Sequence, residues 1–137
     1  MKKQTGIWLD FKNAFIITLK EKSVDVQTID SDIEDYNVKG GARSKQPWGP
    51  MDKTSESKYL ERRKQQAKKY YAHIKDRVQD ADMLYIFGPA EAKVGLEKAM
   101  MEDNNFKPKI QAVETADSMT QNQMVAEVRA FFTGVKN

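Results

Sequence analysis

Apolar positions fall into short continuous or alternating runs at the start of the chain and into helical spacings further on. Gly6-Ile7-Trp8-Leu9-Asp10 is a short apolar segment. Asn13-Ala14-Phe15-Ile16-Ile17-Thr18-Leu19 is an almost unbroken β-branched and aromatic run, the pattern of a strand covered on both faces. Lys12-Asn13 supplies the turn between them, and Lys20-Glu21-Lys22 supplies the next. In Ser23-Val24-Asp25-Val26-Gln27-Thr28-Ile29 apolar and polar residues alternate, which predicts a half-exposed strand at a sheet edge. The chain therefore opens as an antiparallel meander.

Residues 32–53 carry no sustained apolar period and contain Gly40, Gly41, Pro47, Gly49 and Pro50, so they are expected to form a long, flexible, basic loop. From about Thr54 to Gln79 the period becomes helical, with Leu60, Ala67, Tyr71, Ile74 and Val78 on one face and Lys58, Arg62 and Lys69 on the other. Met83-Leu84-Tyr85-Ile86-Phe87 reads as a buried strand ended by Gly88, with Pro89 in the first turn of a helix whose core stripe is Ala92, Leu96, Ala99 and Met100. Pro108–Val113 is the next strand. Thr120 and Gln123 form a capping-box pattern at the start of a last helix, where Met124, Val128, Phe131 and Phe132 share a face. The predicted order is β-β-β-α-β-α-β-α in one domain spanning 1–137. Two strand-helix units call for parallel strands, so the economical arrangement is an α/β, ribonuclease H-like three-layer sandwich on a five-stranded mixed sheet.

Composition sharpens this picture. With 137 residues, 39% apolar and 31% charged, the chain fits one globular domain. Its mean hydropathy of -0.74 is low, as expected if the polar stretch 32–53 dilutes an ordinary core. No run approaches the roughly 18 to 20 apolar residues of a membrane helix, and Met1-Lys2-Lys3 leads into a segment with Trp8 and Asp10 instead of a signal-peptide core. A cytoplasmic location without membrane contact is expected. The absence of cysteine excludes disulfides, a thiol nucleophile and Cys-based zinc sites, and a single histidine excludes a multi-His centre within one chain. No cofactor is expected.

The net charge of +3 conceals a polarity along the chain. Residues 39–77 hold twelve basic and four acidic side chains, net +8, and the remainder holds eleven basic and sixteen acidic, net -5. Such a block is the footprint of an anionic partner, with RNA or DNA the commonest, or else a solvated helix face.

Chemistry-bearing residues are sparse. Asp10 ends the first strand, where a ribonuclease H-like nuclease places a metal-binding carboxylate, but a turn role is the preferred reading. The fourth strand ends in Phe87-Gly88-Pro89 without an acid, Glu61 and Asp76 lie amid cations, and Glu114 and Asp117 would have to approach from the fifth strand. His73 has no Ser or Asp at a relay spacing. The Gly88–Lys93 turn lacks Walker or Rossmann glycine spacing and reads as a tight strand-to-helix connection. Trp8 belongs to a strand and to the core. Trp48, between Pro47 and Gly49, either stacks on a base or docks a protein groove, or folds back as the loop's own anchor.

Three strands, then Val38-Lys39-Gly40-Gly41-Ala42-Arg43, a basic helix with Arg62-Arg63-Lys64 and Tyr70-Tyr71, and Met83-Leu84-Tyr85-Ile86-Phe87-Gly88-Pro89-Ala90-Glu91-Ala92-Lys93 follow one another over nearly the whole chain. This succession resembles the middle domain of archaeal and eukaryotic class-one peptide-chain release factors and of pelota, and stand-alone bacterial release-factor-like proteins of the translational machinery. In the release factors a Gly-Gly-Gln tip at the loop before the long helix helps water attack peptidyl-tRNA. Here Gly40-Gly41 is followed by Ala42, so the resemblance does not carry the hydrolase over. Gln46 stands beyond three further residues and next to Pro47. Pelota-like proteins also lack that tip and use the domain on the ribosome.

The resemblance and the charge together imply a non-catalytic, translation-associated module that binds the ribosome or structured RNA, with a translation-factor protein as a further possible partner. The expected RNA-facing set is Lys39, Gly40, Gly41, Arg43, Lys45, Trp48, Lys58, Arg62, Arg63 and Lys69. The alternatives are an enzyme, either a peptidyl-tRNA hydrolase or a metal-dependent nuclease, and a protein-interaction module docking through the Trp48 loop.

Overall fold

The computed structural model describes residues 3–34, 50–89 and 91–134, with backbone only for 50–56. Strands β1 (Gln4–Leu9), β2 (Asn13–Leu19) and β3 (Val24–Asp30) form the antiparallel meander. Strands β4 (Met83–Gly88) and β5 (Lys109–Thr115) add in parallel beside β1, giving a five-stranded mixed sheet in the order β3-β2-β1-β4-β5. The helices are α1 (Pro50–Val78), α2 (Ala92–Met101) and α3 (Gln121–Phe132). The expected α/β sandwich is the observed one, and β3 lies at the edge where its alternation put it.

The period-two alternation of the central strands sorts the core onto the two faces of the sheet. On one face Ile7, Leu9, Ala14, Ile16, Leu84 and Ile86 pack with Tyr70, Ile74 and Val78 of α1 and with Ala92, Leu96 and Met100 of α2. On the other, Trp8, Ile17, Tyr85 and Phe87 pack with Met124 and Val128 of α3. Tyr85 stacks between Phe87 and Phe131, with ring centroids 4.7 and 4.1 Å away. Helix α3 opens with the expected capping box: Thr120 Oγ1 accepts from Gln123 N, and Gln123 Oε1 accepts from Thr120 N. On β5 the register shifts between the partners of Leu84 and Tyr85, leaving Gln111 as an extra residue. That bulge roughens an edge strand and disfavours further strand addition there.

Four sequence expectations shift. Strand β1 begins at Gln4, ahead of Gly6. Helix α1 begins at Pro50, so the loop expected over 32–53 ends earlier, and residues 35–49 lie outside the described residues. Pro89 precedes α2, which starts at Ala92 after Glu91. On α1, Tyr70 is 1% exposed whereas Leu60, expected in the core stripe, is 55% exposed. The reason is length. A helix of 29 residues is about 43 Å long, whereas strands of six or seven residues reach about 20–23 Å, so only the C-terminal part of α1 has sheet beneath it.

The junction is built around the β1–β2 turn. Asp10 Oδ1 accepts from the backbone N–H groups of Lys12 and Asn13 at 2.8 and 3.0 Å. The Tyr70 hydroxyl donates to the Asp10 carbonyl at 2.8 Å, and Ser31 Oγ donates to the Phe11 carbonyl at 2.6 Å. Burial, reinforced by the nearby Asp10 charge, pushes the Tyr70 hydroxyl far above its ordinary value. Burial pushes that of Tyr71 up to about 12.

Two glycines permit the closest approaches. A Cβ on Gly6 would fall 2.2 Å from Val128 Cγ2, and one on Gly88 would fall 2.2 Å from the Leu9 carbonyl oxygen. Gly6→Ala is therefore expected to cost about 1–3 kcal/mol in denaturant unfolding, and Gly6→Ala with Val128→Ala to cost less than the sum of the single changes. Gly88→Ala meets backbone, so combining it with Val128→Ala is expected to be additive. For pH, the unfolded chain releases the Tyr70 proton near pH 10 while the folded chain keeps it, so stability is full below that pH and falls as pH rises above it. The thermal midpoint should drop above about pH 10, less steeply in Tyr70→Phe.

Candidate nucleic-acid interface

The part of α1 that overhangs the sheet carries most of its charge. Between residues 58 and 69 it presents Lys58, Arg62, Arg63, Lys64, Lys68 and Lys69 against Glu61. The cations nearer its C-terminus are engaged with the body: Lys75 pairs with Asp103 at 3.0 Å, and Arg77 donates to Gln27 Oε1 at 2.7 Å. The overhanging cations divide differently.

Arg62 is held. After β3 the backbone turns through Asp32, whose φ is 57°, and brings Ile33 and Glu34 against α1. Arg62 donates from two nitrogens to the Glu34 carboxylate at 2.9 and 3.0 Å. Gln66 Nε2 donates to the same carboxylate at 3.1 Å, and Gln66 Oε1 accepts from Glu34 N at 3.0 Å. The Arg62 hydrogen bond, joined by that from Gln66, holds the Glu34 carboxyl below its ordinary range. Arg62 was expected to face RNA; here its charge is compensated.

Arg63 is half-buried, with its guanidinium 5.8 Å from the centre of the Phe11 ring. Its Nε is enclosed without a hydrogen-bond partner among the described residues. Lys58 and Lys69 are exposed and make no ion pair or hydrogen bond among the described residues. The same is true of Lys64 and Lys68, which the sequence-predicted set omitted. Helical spacing was the signal for them: Lys64 and Lys68 are four residues apart on one stripe, as Lys58 and Lys69 are eleven apart, about three turns, on another. The two stripes bound an arc of about 140° of solvent-facing helix. With Glu34 and Glu61 set against the six cations of 58–69, the local net charge is +4. Lys39, Gly40, Gly41, Ala42, Arg43, Lys45, Gln46 and Trp48 lie outside the described residues.

Two of the carboxylates considered for metal chemistry are otherwise occupied. Asp10 organises its turn, and Glu114 Oε1 accepts from the Tyr85 hydroxyl at 2.8 Å. Among the described residues no group of three or more His, Asp or Glu side chains is placed to hold a metal ion. His73 is exposed and lies beside Asp30, Asp32, Asp76 and Arg77. No helix among the described residues is long and apolar enough to cross a membrane.

No family model and no curated protein matches the chain. Among solved structures, the crystal structure of the archaeal translation termination factor aRF1 is similar to it with a TM-score of 0.43 and 10% sequence identity, over 98% of this chain and 40% of that one. The chain thus spans less than half the length of that factor, and a likeness this loose does not bear on function.

Proposed function

We propose that the chain is a non-catalytic RNA-binding module of the translation apparatus, acting in the cytoplasm on ribosomal or other structured RNA. The observation that carries the reading is the set Lys58, Lys64, Lys68 and Lys69: four exposed ammonium groups on α1 without partners among the described residues. Uncompensated lysines on a rigid element bind phosphates without reading base edges, so affinity comes mostly from released counterions. By sequence, Lys39, Arg43 and Lys45, the Gly40-Gly41 pair and Trp48 precede this helix and would extend the same surface. The resemblance to release-factor and pelota middle domains supports the ribosome as the source of the RNA. Ala42, standing where the release factors have glutamine, supports a binding role over a hydrolytic one.

Contacts to about four to six phosphates give a log-log salt dependence of roughly -3 to -5, measurable by co-sedimentation with ribosomes across a salt series. A flat profile would remove the proposal. Reversing Lys58, Lys64, Lys68 and Lys69 together to Glu is expected to abolish binding and leave the thermal midpoint within a few degrees, because exposed charges contribute little to stability. Glu34→Gln releases Arg62 and should raise the salt needed to elute the protein from an RNA matrix; Lys64→Gln should lower it. Peptidyl-tRNA hydrolysis lost in Gln46→Ala would replace the binding module with an enzyme.

A further inference from the structure

A groove of about 470 Å³ opens beside the lysine stripes, its apolar lining from Phe11, Ile33, Leu60 and Ala67 and its polar lining from Ser57, Glu61, Arg63 and Lys64. We infer that it is a subsite for one unstacked nucleobase of the RNA whose phosphates the lysines hold, an inference that rests on the RNA-binding function proposed above. Phe11, Ile33, Leu60 and Ala67 give it an apolar side, and Leu60 keeps 55% of its surface exposed although it sits within a turn or so of half-buried Phe11-facing Arg63. A guanidinium oriented by a ring, and in no ion pair among the described residues, offers a flat cationic surface of the kind on which bases stack. Lys64 stands on the rim, and Lys68 follows one turn along the helix, leading positive charge away from the groove.

This pattern distinguishes between ligands. A docked amphipathic helix places apolar anchors at successive turns and needs a row of apolar recesses to receive them. Here charged side chains share the lining with the apolar ones, and the positions following Leu60 on the outer surface are Glu61, Lys64 and Lys68. A polyanion with one base splayed from its backbone matches both halves: apolar face in the groove, phosphates on the ammonium groups. The volume lies within the usual range for small-molecule sites, ample for one base.

The test compares a single-stranded RNA carrying 2-aminopurine at one position with a fully paired duplex of equal length. Native protein is expected to bind the single strand more tightly and to change the 2-aminopurine fluorescence. Leu60→Ser should weaken single-strand binding by about five- to a hundredfold, the range for loss of one base-stacking contact, without altering duplex affinity or the salt slope. Leu60→Met should restore it. Equal affinity for single strand and duplex, or a Leu60→Ser loss of equal size for both, overturns the base subsite while leaving the salt-dependent phosphate binding intact. No salt-dependent binding to either RNA removes the proposed function itself. An alternating Glu-Leu peptide serves as the competitor: binding tighter than the RNA and lost in Leu60→Ser assigns the groove to a protein partner and overturns the inference.

Discussion

A helix about 43 Å long cannot be covered by strands about 20–23 Å long, and the surface of this protein follows from that mismatch. Where α1 lies over the sheet, Tyr70, Ile74 and Val78 are buried and the nearby cations Lys75 and Arg77 bond to the body. Toward its N-terminal end apolar Leu60 is 55% exposed, and along its outer surface Lys58, Lys64, Lys68 and Lys69 have no partner among the described residues. One rod thereby serves as both a core element and a projecting charged arm.

The projection has to be rigid to be useful as a binding surface, since ordering a mobile segment on binding costs affinity. Its anchor is the β1–β2 turn, where Asp10 closes the turn through its side chain and receives the Tyr70 hydroxyl on its backbone carbonyl. A second clamp lies further toward the N-terminal end of the helix, where Glu34 bonds both Arg62 and Gln66. That clamp withdraws one cation from the surface while fixing the helix that carries the others. A half-exposed ion pair is worth little alone, but here it is part of a four-bond cluster joining two segments distant in sequence.

Much of the fold was legible along the chain. The uninterrupted run Ala14–Leu19 announced a central strand, the alternation of Val24 to Ile29 an edge strand, and the Thr120–Gln123 box the start of α3. The misreadings were of a different kind. Leu60 fits the helical stripe in sequence, yet a stripe says which residues share a face and not whether anything lies beneath it. Tyr70, whose ring is buried and whose hydroxyl meets Asp10, was passed over for Tyr71 because two adjacent tyrosines offer the same local signal. On the candidate interface, charge density along the chain located the basic helix correctly. What it did not show is that Arg62 pairs with Glu34, whereas Lys64 and Lys68 have no partner among the described residues.

Local patterns were enough to determine the elements, because each depends on residues within a few positions of one another, and the order of those elements implied the mixed sheet through its strand-helix-strand connections. The tertiary structure alone decided which charges remain unpaired. Glu34 reaches Arg62 across 28 residues and Asp103 reaches Lys75 across the same separation, and such neutralisation depends on distance in space, which no local period encodes.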